Sequence, residues 1–390
     1  MKKLFSILLV FCLCTAMVAC AKKSDIDNKN FGIAANETNK DAAISADGIN
    51  KDSIIAADET NKVTNTFAWK TSTPEEQGLD ITYLDNADKR IQDNYPNIYS
   101  LLVVKNGFLV YEKYYQGMNE KDANPVYSVT KSVMSALTGI AINDGLINGI
   151  DQKVSDIVPK YFIDVDDKRK KDITVKNVLT MQGGLESVDD NFLSFYISRD
   201  YFDYTVSLPM NFAPDTKFTY NTGLTQFLSA IIEETSKMST FEYAQKKLFN
   251  PLGIERVNWH CDSEGHYSGG FGLSLTPRDM AKFGYLYLKN GVWDGNQIIP
   301  QQWIKDSTKK QVSVDTDSEY GYLFWIKELK AKEEGKVLDA YAAAGSGGQY
   351  IVVVPELDIV TVITANDNSR SNDNSDTVDI MWDYVIKAVK

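Results

Sequence analysis

The chain has 390 residues, 43% of them hydrophobic, enough for a large core in one big α/β domain or two smaller ones. Its formal net charge is −12, and no Lys/Arg cluster is interleaved with aromatics, which argues against nucleic-acid binding and leaves the acidic balance to serve solubility. Of four cysteines, three fall in the first twenty residues, so Cys261 stands alone and a disulfide framework is excluded from the remainder.

The N-terminus reads MKKLFSILLVFCLCTAMVAC. Lys2 and Lys3 precede an apolar run over residues 4–19 that is short for a membrane span. That is the layout of a signal peptide. The closing MVAC resembles a bacterial lipobox with Cys20 as the lipidated residue; simple secretion and an uncleaved anchor are the alternatives. The expectation is a lipoprotein-type signal peptide over 1–20 and an exported, membrane-anchored protein of the bacterial cell envelope, held by lipid rather than by a spanning segment.

Residues 21–66 read as a disordered tether, rich in Asn, Asp, Lys, Ala and Thr with Phe31 as their one aromatic. Such a composition buries too little apolar surface to offset the entropy of ordering. The tether repeats itself, IAANETNK from Ile33 and IAADETNK from Ile55. Two copies make a duplicated spacer, not a solenoid.

One folded domain is expected over 67–390. Residues 98–115 predict a β-hairpin, two β-rich runs around Asn106-Gly107, a pair suited to a type I′ turn. From Ser128 to about Asn143 the pattern is helical, with Val133, Leu137, Ile140 and Ala141 on one stripe. Residues 144–310 read as helix and loop; TQFLSAIIEETSK and RDMAKFGYLYLKNG are the clearest helices, the second stopped by Gly291. Strand character returns in YGYLFWI and in GQYIVVVPELDIVTVITAN, two β-branched runs about a turn at Pro355-Glu356-Leu357-Asp358. Residues 374–390 read as an amphipathic helix. The fold class is therefore α/β of the α+β type: an antiparallel sheet built from N- and C-terminal strands, flanked by helices, with a mostly helical insertion.

Several chemistries are absent from the sequence: no G-x-S-x-G elbow, no H-E-x-x-H, no Walker loop. WHCDSEGH places His260, Cys261, Asp262 and His266 together, but the spacing matches no common zinc site, and neither metal nor cofactor is expected. Ser128 and Lys131 remain. At i and i+3 of a helix they share a face, so a lysine with a burial-lowered pKa can sit beside the serine hydroxyl as its base. Taken alone, Ser128 as helix N-cap and Lys131 as a solvated side chain is the simpler reading. Tyr220, at a loop-to-helix junction in TYNTG, could shuttle protons near Lys131 or be a packed aromatic. The Gly-rich AAAGSGGQYIVVV opens a strand whose edge N–H groups could complete an oxyanion hole with the Ser128 amide, or is only a flexible turn.

The order of the three signals resembles the serine β-lactamase and penicillin-binding-protein superfamily, β-lactamase/transpeptidase-like in fold. It is most similar to the class C-like branch with DD-peptidases, family VIII carboxylesterases and 6-aminohexanoate-dimer hydrolases. TSTPEEQGLD, VLTMQGGLE, KKLFNPLGI and GGFGLSLTPRDMAKFGYLYLKNGVWDGNQII carry the likeness over about residues 69–390. The resemblance implies Ser128 as acylated nucleophile, Lys131 as general base or its keeper, and Tyr220 as activator of Ser128 and proton donor to the leaving group. It implies an oxyanion hole from the Ser128 and Gln349 amides, with Ser346, Gly347, Gly348 and Thr222 lining the substrate site. Two positions depart from it: Thr222 stands where many members have Asn, and Ser346 where a Lys or His often precedes the glycines. A missing cation argues against carboxylate-bearing β-lactams and D-Ala peptides. The expected function is hydrolysis of a small-molecule or peptide ester or amide; a β-lactamase or DD-peptidase and a catalytically silent envelope-binding protein are the alternatives.

Overall fold

The computed structural model describes residues 67–315, 318–330, 337–366 and 375–390. The expected signal peptide, Cys20 and the 21–66 tether lie outside the described residues.

Helix α1 (Ile81–Asn94) starts where the Asp80 carboxylate accepts the Thr82 N–H, and it buries Leu84, Ala87 and Ile91 along one stripe. Strands β1 (Ile98–Lys105) and β2 (Phe108–Tyr114) form the expected hairpin. Asn106 and Gly107 both take positive φ, 53° and 83°, as a type I′ turn demands. Next in the chain come α2 (Val129–Asn143), α3 (Gln226–Ser236) and α4 (Pro277–Leu288). The C-terminal part supplies β3 (Val312–Ser313), β4 (Glu319–Tyr320), β5 (Trp325–Lys330), β6 (Val337–Gly345), β7 (Gln349–Val354) and β8 (Ile359–Ala365). Helix α5 (Ser375–Ile380) closes the chain and widens into a π turn over Met381–Ile386.

The strands form one antiparallel sheet in the order β2-β1-β8-β7-β6-β5-β4-β3. Its centre joins the two ends of the domain, with Leu101 opposite Ile363 and Val103 opposite Thr361. On one face α1 and α5 cover Leu101, Val103, Val352 and Ile363. On the other, α2 and α4 cover Leu102, Val104, Ile351, Val353 and Val360. Both faces are dry, which is why β1, β7 and β8 read as unbroken apolar runs rather than alternating ones. Each fully buried Val, Ile or Leu contributes about 1.5–3 kcal/mol.

Two local expectations are revised. Helix α2 has no single apolar stripe: every residue from Val129 to Ala141 is buried, because the helix runs between the sheet and the helical insertion. YGYLFWI is not one strand. The chain leaves the sheet after Tyr320, turns at Leu323 (φ 62°) so that the Leu323 carbonyl accepts the Ser132 hydroxyl of α2, and re-enters at Trp325. Among the described residues, no helix is long and apolar enough to cross a membrane.

Candidate active site

Ser128 stands at the head of α2, the helix that runs between the sheet and the insertion. Two short antiparallel pairings place it there. Asn124-Pro125 pairs with Leu273–Leu275, and the Val126 N–H donates to the Leu273 carbonyl at 2.9 Å. Tyr127 then takes a left-handed conformation, φ 47°, which costs a non-glycine residue about 1–2 kcal/mol. The kink throws the Tyr127 ring outward, 39% exposed, and sets Ser128 half-buried at the head of α2. Ser128 holds the N-cap position, but its side chain caps nothing. Its Oγ accepts a hydrogen bond from Lys131 Nζ at 3.0 Å.

Lys131 is 1% exposed, which decides its chemistry. Burial pushes its amine down from 10.5 to about 8, while the charge of Asp189 pulls in the opposite direction. The amine also donates to Thr222 Oγ1 at 3.1 Å and to the Gly270 carbonyl at 2.8 Å. Its three donors thus have three acceptors. Gly270 can come so near because it lacks a side chain: a Cβ there would lie 2.7 Å from both Thr222 Cγ2 and Thr225 Oγ1.

The Tyr220–Thr222 turn is held from behind. Asn221 is buried; its carbonyl oxygen accepts the Gly223 and Leu224 N–H groups, and its amide donates to the Glu186 carbonyl. This fixes Tyr220 with its ring centroid 4.9 Å from Lys131 Nζ, while Trp325 stacks on the ring at 6.2 Å. Thr222 in turn donates its hydroxyl to Asp189 Oδ1 at 2.6 Å and its N–H to Asp189 Oδ2 at 2.8 Å. Asp189 escaped sequence reasoning. It lies 33 residues before Thr222, just past the VLTMQGGLE phrase, and no local pattern links the two.

The Gly-rich segment is placed differently from expectation. Strands β6 and β7 are interior to the sheet, not edges, and β7 begins at Gln349. It pairs with Gly345 and is fully buried, its side-chain amide donating to the Ala365 carbonyl. Ser346, Gly347 and Gly348 form the turn between the strands, with Gly347 and Gly348 at φ 76° and 86°. The residue that touches the Ser128 approach is Gly345, where a Cβ would lie 2.3 Å from the Val126 carbonyl. That contact joins the end of β6 to the residue two positions before Ser128.

The histidines diverge. His260 stacks on Tyr196 and its Nε2 lies 2.9 Å from the Tyr201 hydroxyl, while His266 Nδ1 lies 2.6 Å from Glu233 of α3. Asp262 accepts the N–H groups of Tyr201, Glu264 and His266, organising the loop that carries them. Cys261 is a free, partly exposed thiol.

Comparison with known proteins gives a consistent picture. The family described as Beta-lactamase matches residues 92–383. The 6-aminohexanoate-dimer hydrolase of Paenarthrobacter ureafaciens is 24% identical over 242 residues, 57% of this chain and 60% of that enzyme. Among solved structures, EstCE1, a hydrolase with promiscuous acyltransferase activity, superposes with a TM-score of 0.65 at 13% identity, covering 77% of this chain and 98% of that one. The octameric penicillin-binding protein homologue from Pyrococcus abyssi gives 0.59 at 20% identity, covering 74% of each chain.

Proposed function

This chain belongs to the beta-lactamase family, and on that premise we propose that it is a serine hydrolase cleaving an ester or amide of a small molecule or peptide through an acyl-enzyme on Ser128. The observation that carries the reading is the buried Lys131 amine 3.0 Å from the Ser128 hydroxyl. With its amine lowered to about 8, roughly a tenth of Lys131 is neutral at pH 7, an adequate reservoir of base. The Ser128 proton passes to Lys131 Nζ as Oγ bonds the substrate carbonyl carbon. The carbonyl oxygen takes the negative charge, held by the Ser128 amide at the helix head and by the Gln349 amide. Tyr220 protonates the leaving oxygen or nitrogen and takes a proton back from the Lys131 ammonium, so both groups return to their starting forms. Water then attacks the acyl-enzyme by the same route in reverse.

The substrate class follows from charge. No Lys, Arg or His occurs between Leu338 and Ile351, so β6 and the turn after it offer a substrate carboxylate no counter-ion. That favours neutral esters and amides over β-lactams and D-Ala peptides.

A fluorophosphonate probe is expected to label wild type and not Ser128→Ala; equal labelling of both, or of neither, refutes the reading. A panel of aryl esters, linear amides and a chromogenic cephalosporin then ranks the substrates, and cephalosporin turnover equal to ester turnover would install the β-lactamase alternative. Failure of every panel member to acylate Ser128 would favour a silent binding protein. We also propose export and lipid anchoring at Cys20. Cys20→Ala should move the protein from the membrane to the soluble fraction.

A further inference from the structure

Ser128, Lys131 and Tyr220 leave unexplained why a carboxylate stands one residue behind the lysine. We propose that Asp189, acting through the Thr222 hydroxyl, is a positioning residue that supplies the counter-charge for the ammonium formed on Lys131 during acylation. The inference rests on the serine-hydrolase reading above and assigns a role outside its three principal residues.

The directions of the hydrogen bonds carry it. A charged Lys131 only donates, so Thr222 Oγ1 accepts from Nζ at 3.1 Å. The single hydroxyl proton of Thr222 is then committed to Asp189 Oδ1 at 2.6 Å. The result is a directed chain, ammonium to hydroxyl to carboxylate, which strengthens as positive charge appears at its head. Asp189 is aimed from a fixed mount. Its own N–H donates to Ser187 Oγ at 3.1 Å, and its Oδ2 accepts the Thr222 N–H at 2.8 Å. Thr222 is 3% exposed and Lys131 1%, so the chain works where water does not screen it.

No other group does this work. The Gly270 segment offers Lys131 a neutral carbonyl, the Tyr220 turn presents an aromatic ring, and the β6–β7 side between Ala340 and Tyr350 has no Asp, Glu, Lys, Arg or His. Asp189 is the charged group whose field reaches the amine. The proton balance is closed: the Ser128 proton moves to Lys131 and on to Tyr220 as the phenol gives its own to the leaving group, and none passes to Thr222 or Asp189. The arrangement also gives Thr222 a purpose where the resemblance leads one to expect Asn, since a hydroxyl can hand the lysine's bond on to a carboxylate.

Two measurements test it. The first needs no activity: in a Ser128→Ala background, the 13Cε resonance of labelled Lys131 is titrated with and without Asp189→Asn. The substitution should lower the lysine midpoint by about one pH unit, because it removes the charge that favours the ammonium. The second is the pH profile of kcat/KM for an aryl ester. Asp189→Asn and Thr222→Val should both move the acid limb down and lower the plateau about tenfold. Thr222→Ser, which keeps the relay, should retain the wild-type profile. An unchanged Lys131 midpoint, or a plateau that falls with no shift of the limb, overturns the proposal. A shifted midpoint in a protein whose Ser128 is never acylated would leave the counter-charge standing and refute the hydrolase reading instead.

Discussion

On the proposed mechanism, Lys131 meets two demands that burial sets against each other. It must shed its proton near neutral pH to act as base, and it must hold one again a moment later. Desolvation serves the first and the three acceptors around Nζ the second. Because the active form is the neutral amine, kcat/KM for an ester should rise with pH and level off above about 8; a profile flat from pH 6 to 9 would remove Lys131 as the base. Tyr220→Phe keeps the ring against Trp325 and deletes only the phenol, so the protein should keep its thermal midpoint while kcat falls about 10²–10⁴-fold. Sequence made the Ser128–Lys131 pair visible because one helical turn links them. It was blind to Asp189, which is linked to Lys131 by hydrogen bonds through Thr222, and to the Gly270 carbonyl, 139 residues from the amine that donates to it. Contacts of that kind have no period or local composition to betray them.

Among the elements, the contact of β6 with the head of α2 is the most sensitive. A side chain at Gly345 would displace the Val126 carbonyl, and with it the turn that presents Ser128. Gly345→Val should cost about 1–3 kcal/mol by overpacking, and fluorophosphonate labelling should fall more steeply than stability does. The loop before α4 is clamped to α3 by His266 and Glu233. That hydrogen bond raises the imidazole from 6.5 to about 9. Its stabilisation is therefore complete below about pH 6.5 and is lost as pH rises through 9. Thermal melts should show a decline across that window in wild type and a shallower one in His266→Gln. Strands buried on both faces were legible as apolar runs, and the hairpin as Asn106-Gly107. YGYLFWI misled for a physical reason: its apolar residues leave the ladder to pack on α2, and composition alone does not distinguish burial in a sheet from burial beside one.

For the molecule as a whole, the domain's first residues are part of its packing. Phe67 meets Trp69 and Trp293 at 5.2 and 4.5 Å, Trp69 meets Tyr285 at 5.6 Å, and the Lys70 carbonyl accepts the Leu109 N–H. A chain starting at residue 67 should therefore melt like the full-length protein. One starting at residue 71 should lose on the order of 2–5 kcal/mol in denaturant unfolding. The sheet that these ends complete has a further consequence for the order of synthesis. Strand β1 is made early and its partner β8 late, and the β6–β7 hairpin beside the groove reaches β1 only through β8. Ser128 and Lys131 leave the ribosome long before the wall they work against exists. A product cut short ahead of Ile359–Ala365 would carry the proposed nucleophile without the sheet centre that braces it, so on the proposed reading activity waits for that late strand.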